Sequence, residues 1–136
     1  MDTLTPSQRS ARMALVRSKN TRPELVVRRL AHRLGYRFRL HRRELPGSPD
    51  LIFPKRRAII FVHGCFWHQH GCPRGARRPL ANANYWSTKL DRNMARDVEV
   101  RKQLEELGWR VLVVWECETR DVNALGKRLV GFLGGR

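Results

Sequence analysis

Acidic residues are scarce in this chain: 12 Asp and Glu stand against 28 Lys and Arg over 136 residues, a formal charge of +16. A surplus of that size exceeds what solubility requires and selects a polyanion as partner. Long apolar runs are missing as well. None exceeds five residues, where a membrane-spanning helix needs roughly 20, so nothing spans a bilayer and nucleic acid leads. The polar first dozen residues run into no apolar stretch of secretory length, so a cytoplasmic location is expected. Cysteines number only three, an odd count interleaved with histidine, which argues for metal ligands or buried thiols over a disulfide framework. At 16.0 kDa the chain can bury a core without such support. Internal repeats and low-complexity segments are also absent.

Most of the positive charge is arginine, whose planar fork suits phosphates and base edges. Residues 1–20 carry Arg9, Arg12, Arg17 and Lys19 against one acid, Asp2, and are expected to form a basic arm that embraces DNA; a solvated tail is the alternative. Residues 21–136 then form the domain. Thr21, Pro23 and Glu24 open a helix as cap, first-turn proline and capping-box acid, and Gly35 ends it. Tyr36 to Leu40 alternates like a strand. Asp50 to Phe53 and Ala58 to Val62 read as buried strands joined in a hairpin through residues 54–57, which sets Asp50 and His63 at neighbouring strand ends. Residues 85–107 show helical spacing of Leu90, Met94, Val100 and Leu104, with Asn93 and Asp97 on one face. A strand from Val111 to Trp115 and a helix from Asp121 to Leu133 close the chain. This order predicts an α/β fold with a mixed central sheet flanked by helices.

The chemistry concentrates in residues 62–72, VHGCFWHQHGC, with three histidines, two cysteines and a Phe-Trp pair. Cys65, His70 and Cys72, joined by Cys117, have the composition of a closed tetrahedral zinc site. Three buried thiols beside an unrelated histidine would have the same pattern. A second set, Glu24, Asp50, His63, His68 and Asp97, can meet at adjoining element ends. Phosphodiester hydrolysis needs an activated water and neutralised phosphorane charge, which a carboxylate-held cation and a histidine base supply. Each member also has a plainer role: Glu24 in the capping box, Asp97 paired with Arg101 along its helix, Asp50 closing a turn, His63 and His68 as structural imidazoles. Phe66 and Trp67 read by composition as core residues.

Pro46-Gly47-x-Pro49-Asp50, FVHGCFWHQHGC, Tyr85-Trp86, Asn93, Arg96-Asp97 and ELGWRVLVVWEC together resemble the very short patch repair (Vsr) DNA mismatch endonucleases. The resemblance runs from about Arg17 to beyond Cys117. It implies a restriction-endonuclease-like core and an enzyme that nicks DNA 5′ to the thymine of a T:G mismatch left by deamination of 5-methylcytosine. By this likeness Asp50 and the main-chain carbonyl of Val62 bind Mg2+, and His68 is the general base oriented by Asp97. Glu24 and His63 complete the cluster, and Cys65, His70, Cys72 and Cys117 hold structural Zn2+. Phe66, Trp67 and Trp86 would wedge into the base stack, while Arg9, Arg12, Arg17, Lys19, Lys89 and Asn93 would contact phosphates. A monomer is expected, nucleoid-associated when acting and able to hand its nick to downstream repair proteins. Phe61-Val62-His63 stands where restriction-type nucleases carry a carboxylate and a lysine, and Val62 replaces the family's more usual threonine. A nuclease of the same fold with another target, and a non-catalytic zinc-stabilised DNA-binding module, are the competing readings.

Overall fold

A computed structural model of the chain describes residues 21–66, 68–72 and 79–134. The expected arm, with Arg9, Arg12, Arg17 and Lys19, and the aromatic Trp67 lie outside the described residues. Helix α1 (Arg22–Arg33) is followed by strands β1 (Arg39–Leu40), β2 (Leu51–Phe53) and β3 (Ala58–His63). The long helix α2 (Ala83–Glu106), strand β4 (Arg110–Trp115) and helix α3 (Val122–Leu133) complete the order expected from the residue pattern. One sheet forms in the order β1-β2-β3-β4, antiparallel for the first two pairings and parallel for β3 with β4. Among the described residues no helix is long and apolar enough to cross a membrane.

The apolar strands are buried on both faces, and the two-residue period sorts their side chains. Leu51, Phe53, Ala58, Ile60 and Val114 pack under α1 and α3 with Val27, Leu30, Leu125 and Leu129. Ile52, Ile59, Phe61 and Val111 turn to the other face and pack with Leu104 and Val100 of α2. Each fully buried Ile or Leu stabilises the fold by roughly 1.5–3 kcal/mol. The same parity carries His63 and Trp115, two residues beyond Phe61 and Val113, onto the α2 face.

Strand β1 is shorter than the alternation of Tyr36 to Leu40 implies. Tyr36 is taken by the end of α1: its N–H donates to Ala31 O at 3.0 Å after Gly35 turns at φ 89°. Its hydroxyl donates to Gly134 O at 2.6 Å. Three arginines serve the far end of the sheet, away from the carboxyl ends of β3 and β4. Arg57 donates to Leu107 O at 2.9 Å, Arg56 to Leu133 O at 2.7 Å and Arg110 to Phe132 O at 2.5 Å. These guanidiniums satisfy the carbonyls that end α2 and α3. Part of the large positive charge is therefore structural.

The loop before β2 is pressed against α2 at Gly47. A Cβ there would stand 2.5 Å from Val100 Cγ1, and the backbone is left-handed at φ +75°. Val100 is β-branched and cannot swing aside cheaply. Gly47→Ala is expected to lower stability by about 1–3 kcal/mol through overpacking alone, read from the denaturant midpoint; an unchanged midpoint would mean the loop yields without involving α2.

Candidate active site and thiol-histidine centre

The parallel register of β3 with β4 pairs His63 with Trp115. Two residues further along each chain stand Cys65 and Cys117, so the loops leaving the two strands run side by side. Cys65 N–H donates to Glu116 Oε1 at 3.4 Å, which ties these loops together. His70 Nδ1 lies 3.8 Å from Cys65 Sγ and 3.5 Å from Cys117 Sγ. With Cys72, the four ligand atoms fall within 4.8 Å of one another. Donors on one tetrahedral zinc, with bonds near 2.3 Å to sulfur and 2.0–2.1 Å to nitrogen, stand about 3.6 Å apart for an S–N pair. The observed separations match that edge. The His70 ring is stacked on Trp115, 4.2 Å between centroids and 11° between planes, which sets its orientation. Burial, with the neighbouring Cys72 and Cys117 thiols, pushes the Cys65 thiol up to about 12.

A cleft opens beside this centre, between the strand ends, α2 and the loop before β2. Its walls include Asp50, Val62, His63, His68, Asn93 and Asp97. The two groups on which the catalytic expectation depends, Asp50 and His68, thus face one cavity. His68 Nδ1 lies 2.5 Å from Asp97 Oδ2, so Nδ1–H donates to the carboxylate and Nε2 carries the lone pair. Arg101, the plainer partner for Asp97, instead pairs with Glu105 at 2.9 Å. His63 stacks on His68 with centroids 3.7 Å apart and planes at 5°. Two imidazolium ions at that spacing would repel strongly. Burial, and then the charge of His68, push His63 down to about 3, so it stays neutral and the pair has room for one proton. His63 Nδ1 is buried with no hydrogen-bond partner among the described residues.

Asp50 does more than close a turn. Its Oδ2 accepts from Val62 N–H at 2.7 Å, just before β2 begins its pairing with β3. Burial pushes its carboxyl up to about 7; the Val62 N–H works against this, the Glu24 charge adds to it and Arg28 opposes it. Glu24 takes the Thr21 cap through its N–H, at 3.4 Å. Its carboxylate accepts from Arg28 Nη2 at 2.6 Å and from His41 Nε2. Burial works against that charge, yet the bonds to Arg28 and His41 hold Glu24 below its ordinary value. Glu24, His41 and Asp50 present ligand atoms within 4.8 Å of one another. His41 was not anticipated. It sits among Arg42 and Arg43 in what reads as an ordinary basic loop, and no short-range pattern links it to Glu24.

Phe66 and Trp86 meet edge to face at 5.6 Å, and Tyr85 lies 5.3 Å from Trp86. Asn93 is on the cleft wall, whereas Lys89 lies one turn earlier on α2 with its Nζ over the Tyr85 ring at 5.7 Å.

A mixed α/β sheet with carboxylates and imidazoles at its strand ends, in so basic a molecule, is that of a nuclease. The family described as DNA mismatch endonuclease Vsr matches residues 1–74. The chain is 54% identical over 132 residues to the type II nicking enzyme V.XorIIP of Xanthomonas oryzae, covering 97% of this chain and 96% of that one. It is 42% identical to the DNA mismatch endonuclease Vsr of Escherichia coli, over 80% of this chain and 74% of the relative. With the type II nicking enzyme V.NmeAIP of Neisseria meningitidis the identity is 38% over 94% of this chain and 91% of that one. The chain belongs to the Vsr family of DNA mismatch endonucleases and acts on DNA as a hydrolase.

The Asp50 environment has a pH consequence. Its folded value, about 7, lies above the ordinary 3.8, so the protonated form favours folding: this contribution is complete below about pH 3.8 and is lost as pH rises through about 7. Asp50→Asn in chelated buffer should therefore be more stable than wild type at pH 8, by on the order of 2 kcal/mol, and the gap should close towards pH 4. Denaturant melts at both pH values check this, and a gap of equal size at both would refute it.

Proposed function

We propose that this enzyme nicks duplex DNA on the 5′ side of the thymine in a T:G mismatch, with Mg2+ at Asp50 and His68 as general base. The observation that carries the reading is the shared cleft of Asp50, Val62, His63 and the His68–Asp97 pair. The donor set at Asp50 is hard oxygen and suits magnesium. In an extended strand the N–H and C=O of one residue face the same edge. Because Val62 N–H reaches Asp50, its carbonyl is directed to the same side and can serve as the second ligand. Since the main chain does this work, valine in place of threonine is tolerated. Magnesium, when bound, would neutralise charge on the scissile phosphate and ease departure of the alkoxide.

His68 Nε2 takes the proton from the attacking water while Asp97 holds Nδ1–H and stabilises the imidazolium that results. Neutral His63, stacked beneath, keeps that proton from meeting a second positive charge. Glu24 completes the cluster on the α1 side. Phe66 and Trp86, already in contact, form with Trp67 the wedge for the mismatched step, where a poorly stacked wobble pair costs less to open than a matched pair. Residues 1–20 act as the arm, with Arg9, Arg12, Arg17 and Lys19 on phosphates, assisted by Lys89 and Asn93 beside the cleft. Affinity should consequently fall steeply with salt.

Cys65, His70, Cys72 and Cys117 hold structural zinc, whose charge would stabilise the clustered thiolates. The ion would brace the segment that carries Phe66 and His68, so it serves catalysis through rigidity. A monomer suffices to cut one strand.

End-labelled duplexes test the reading: with magnesium, the thymine strand of a T:G duplex is cut 5′ to the thymine and the matched T:A duplex is not. Asp50→Ala should bind DNA but not nick. Equal cutting of T:A and T:G would remove the mismatch specificity, and joint loss of folding and binding in Asp50→Ala would favour a binding module. Cys117→Ser should release zinc and lower Tm by about 10 °C, as expected for a loss of about 2–3 kcal/mol in a domain of this size. A zinc-free wild type with undiminished stability and activity would refute the structural zinc.

A further inference from the structure

We infer that His41 is a positioning residue for the divalent cation of the cleft, acting through Glu24; this rests on the reading of Asp50 as the cation's ligand. His41 follows β1 directly and holds a left-handed backbone at φ 47°. A residue with a Cβ adopts that conformation only at a cost, so tertiary contacts must hold it there. Those contacts are the cleft's own. Its Nε2 hydrogen-bonds Glu24 Oε1, lies 3.4 Å from Arg28 Nη2 and 4.0 Å from Asp50 Oδ1. The side chain is only 12% exposed, which puts the imidazole in the wall of the site and not on the basic surface around it.

Glu24 and Asp50 are two acids facing one small space, and left to themselves they would repel. Arg28, one turn along α1, and His41, from the end of β1, grip the same Glu24 oxygen from two elements. A single hydrogen bond leaves a carboxylate free to rotate about it; two from different directions fix its plane. Magnesium and manganese keep several waters when bound, and a fixed carboxylate beside the ligand orients those waters. His41 is therefore not a ligand. Its Nε2 is engaged by the Glu24 carboxylate, and magnesium takes oxygen donors in preference to imidazole.

The test uses the full chain with Mn2+ as the probe: ion binding by EPR without DNA, nicking of a T:G duplex against Mn2+ concentration, DNA affinity by fluorescence anisotropy without metal, and thermal melts. His41→Ala should weaken Mn2+ binding and raise the half-maximal concentration by about tenfold or more, as expected on loss of an outer hydrogen bond at a metal site, with DNA affinity within about twofold of wild type. His41→Gln retains a side-chain N–H and should recover most of the loss. Wild-type Mn2+ dependence in His41→Ala overturns the inference. So does a lowered melting temperature in both variants with no change in the ion midpoint, the signature of a packing role alone. Asp50→Ala separates the two readings: if it binds Mn2+ as wild type does, the assignment of Asp50 fails and the role of His41 falls with it. If Asp50→Ala abolishes binding while His41→Ala leaves it intact, only the role of His41 fails.

Discussion

The parallel pairing of β3 with β4, in the register that sets His63 against Trp115, is the constraint on which both centres depend. It brings together two loops separated by some fifty positions in sequence and aligns Cys65 with Cys117. A slip of one residue would turn His63 away from α2 and expose the apolar strand faces. Since Ile59 and Ile60 are fully buried on opposite faces, the register is strongly enforced. The core thus specifies the site: packing on both sheet faces selects the pairing, and the pairing brings the carboxyl ends of β3 and β4 to the amino end of β2, where Asp50 stands.

Around those ends, side chains of the same type meet different surroundings. His63 and His68 are the same side chain in parallel stacking, yet one is buried and held neutral while the other is held by a carboxylate through Nδ1. Glu24 and Asp50 divide in the same way. Arg28 and His41 hold the Glu24 carboxylate, whereas Asp50 accepts from the Val62 N–H in a desolvated setting that favours its protonated form. The environment assigns the roles.

Much of this was readable before any coordinates, for reasons that differ by element. The helices announced themselves through caps and stops, as with Thr21 and Gly35, and the central strands through apolar runs too short for helices. Asp50, His63, His68 and Asp97 were singled out by type and motif and do line one cleft, and strand-end adjacency followed from the hairpin at residues 54–57. The limits lay where long-range contacts override local pattern. Tyr36 has a strand's alternation but is spent on the end of α1 and on Gly134. His41 carries no periodic signal, because its conformation and its partner 17 positions away are tertiary facts. Glu24 in the capping-box position was ambiguous for the opposite reason: the local signal was genuine, and the same residue serves both the helix start and the cleft.

Net charge is the property most easily overread. The surplus of +16 points correctly to DNA, but Arg56, Arg57 and Arg110 are committed to carbonyls at the ends of α2 and α3. Arg56 and Arg57 also lie over the Tyr36 and Trp109 rings, at 4.7 and 4.3 Å. A lysine could supply the charge at these positions but not the flat stacking surface together with a fixed donor, which is why arginine dominates even away from the ligand. Positive charge in this fold therefore has structural uses of more than one kind: part braces the end of the sheet remote from the cleft, and part pairs with acids, as Arg28 does with Glu24 and Arg101 with Glu105. Cations committed in these ways should contribute less to counterion release, so the salt dependence of DNA binding reports the working cations and not the formal total.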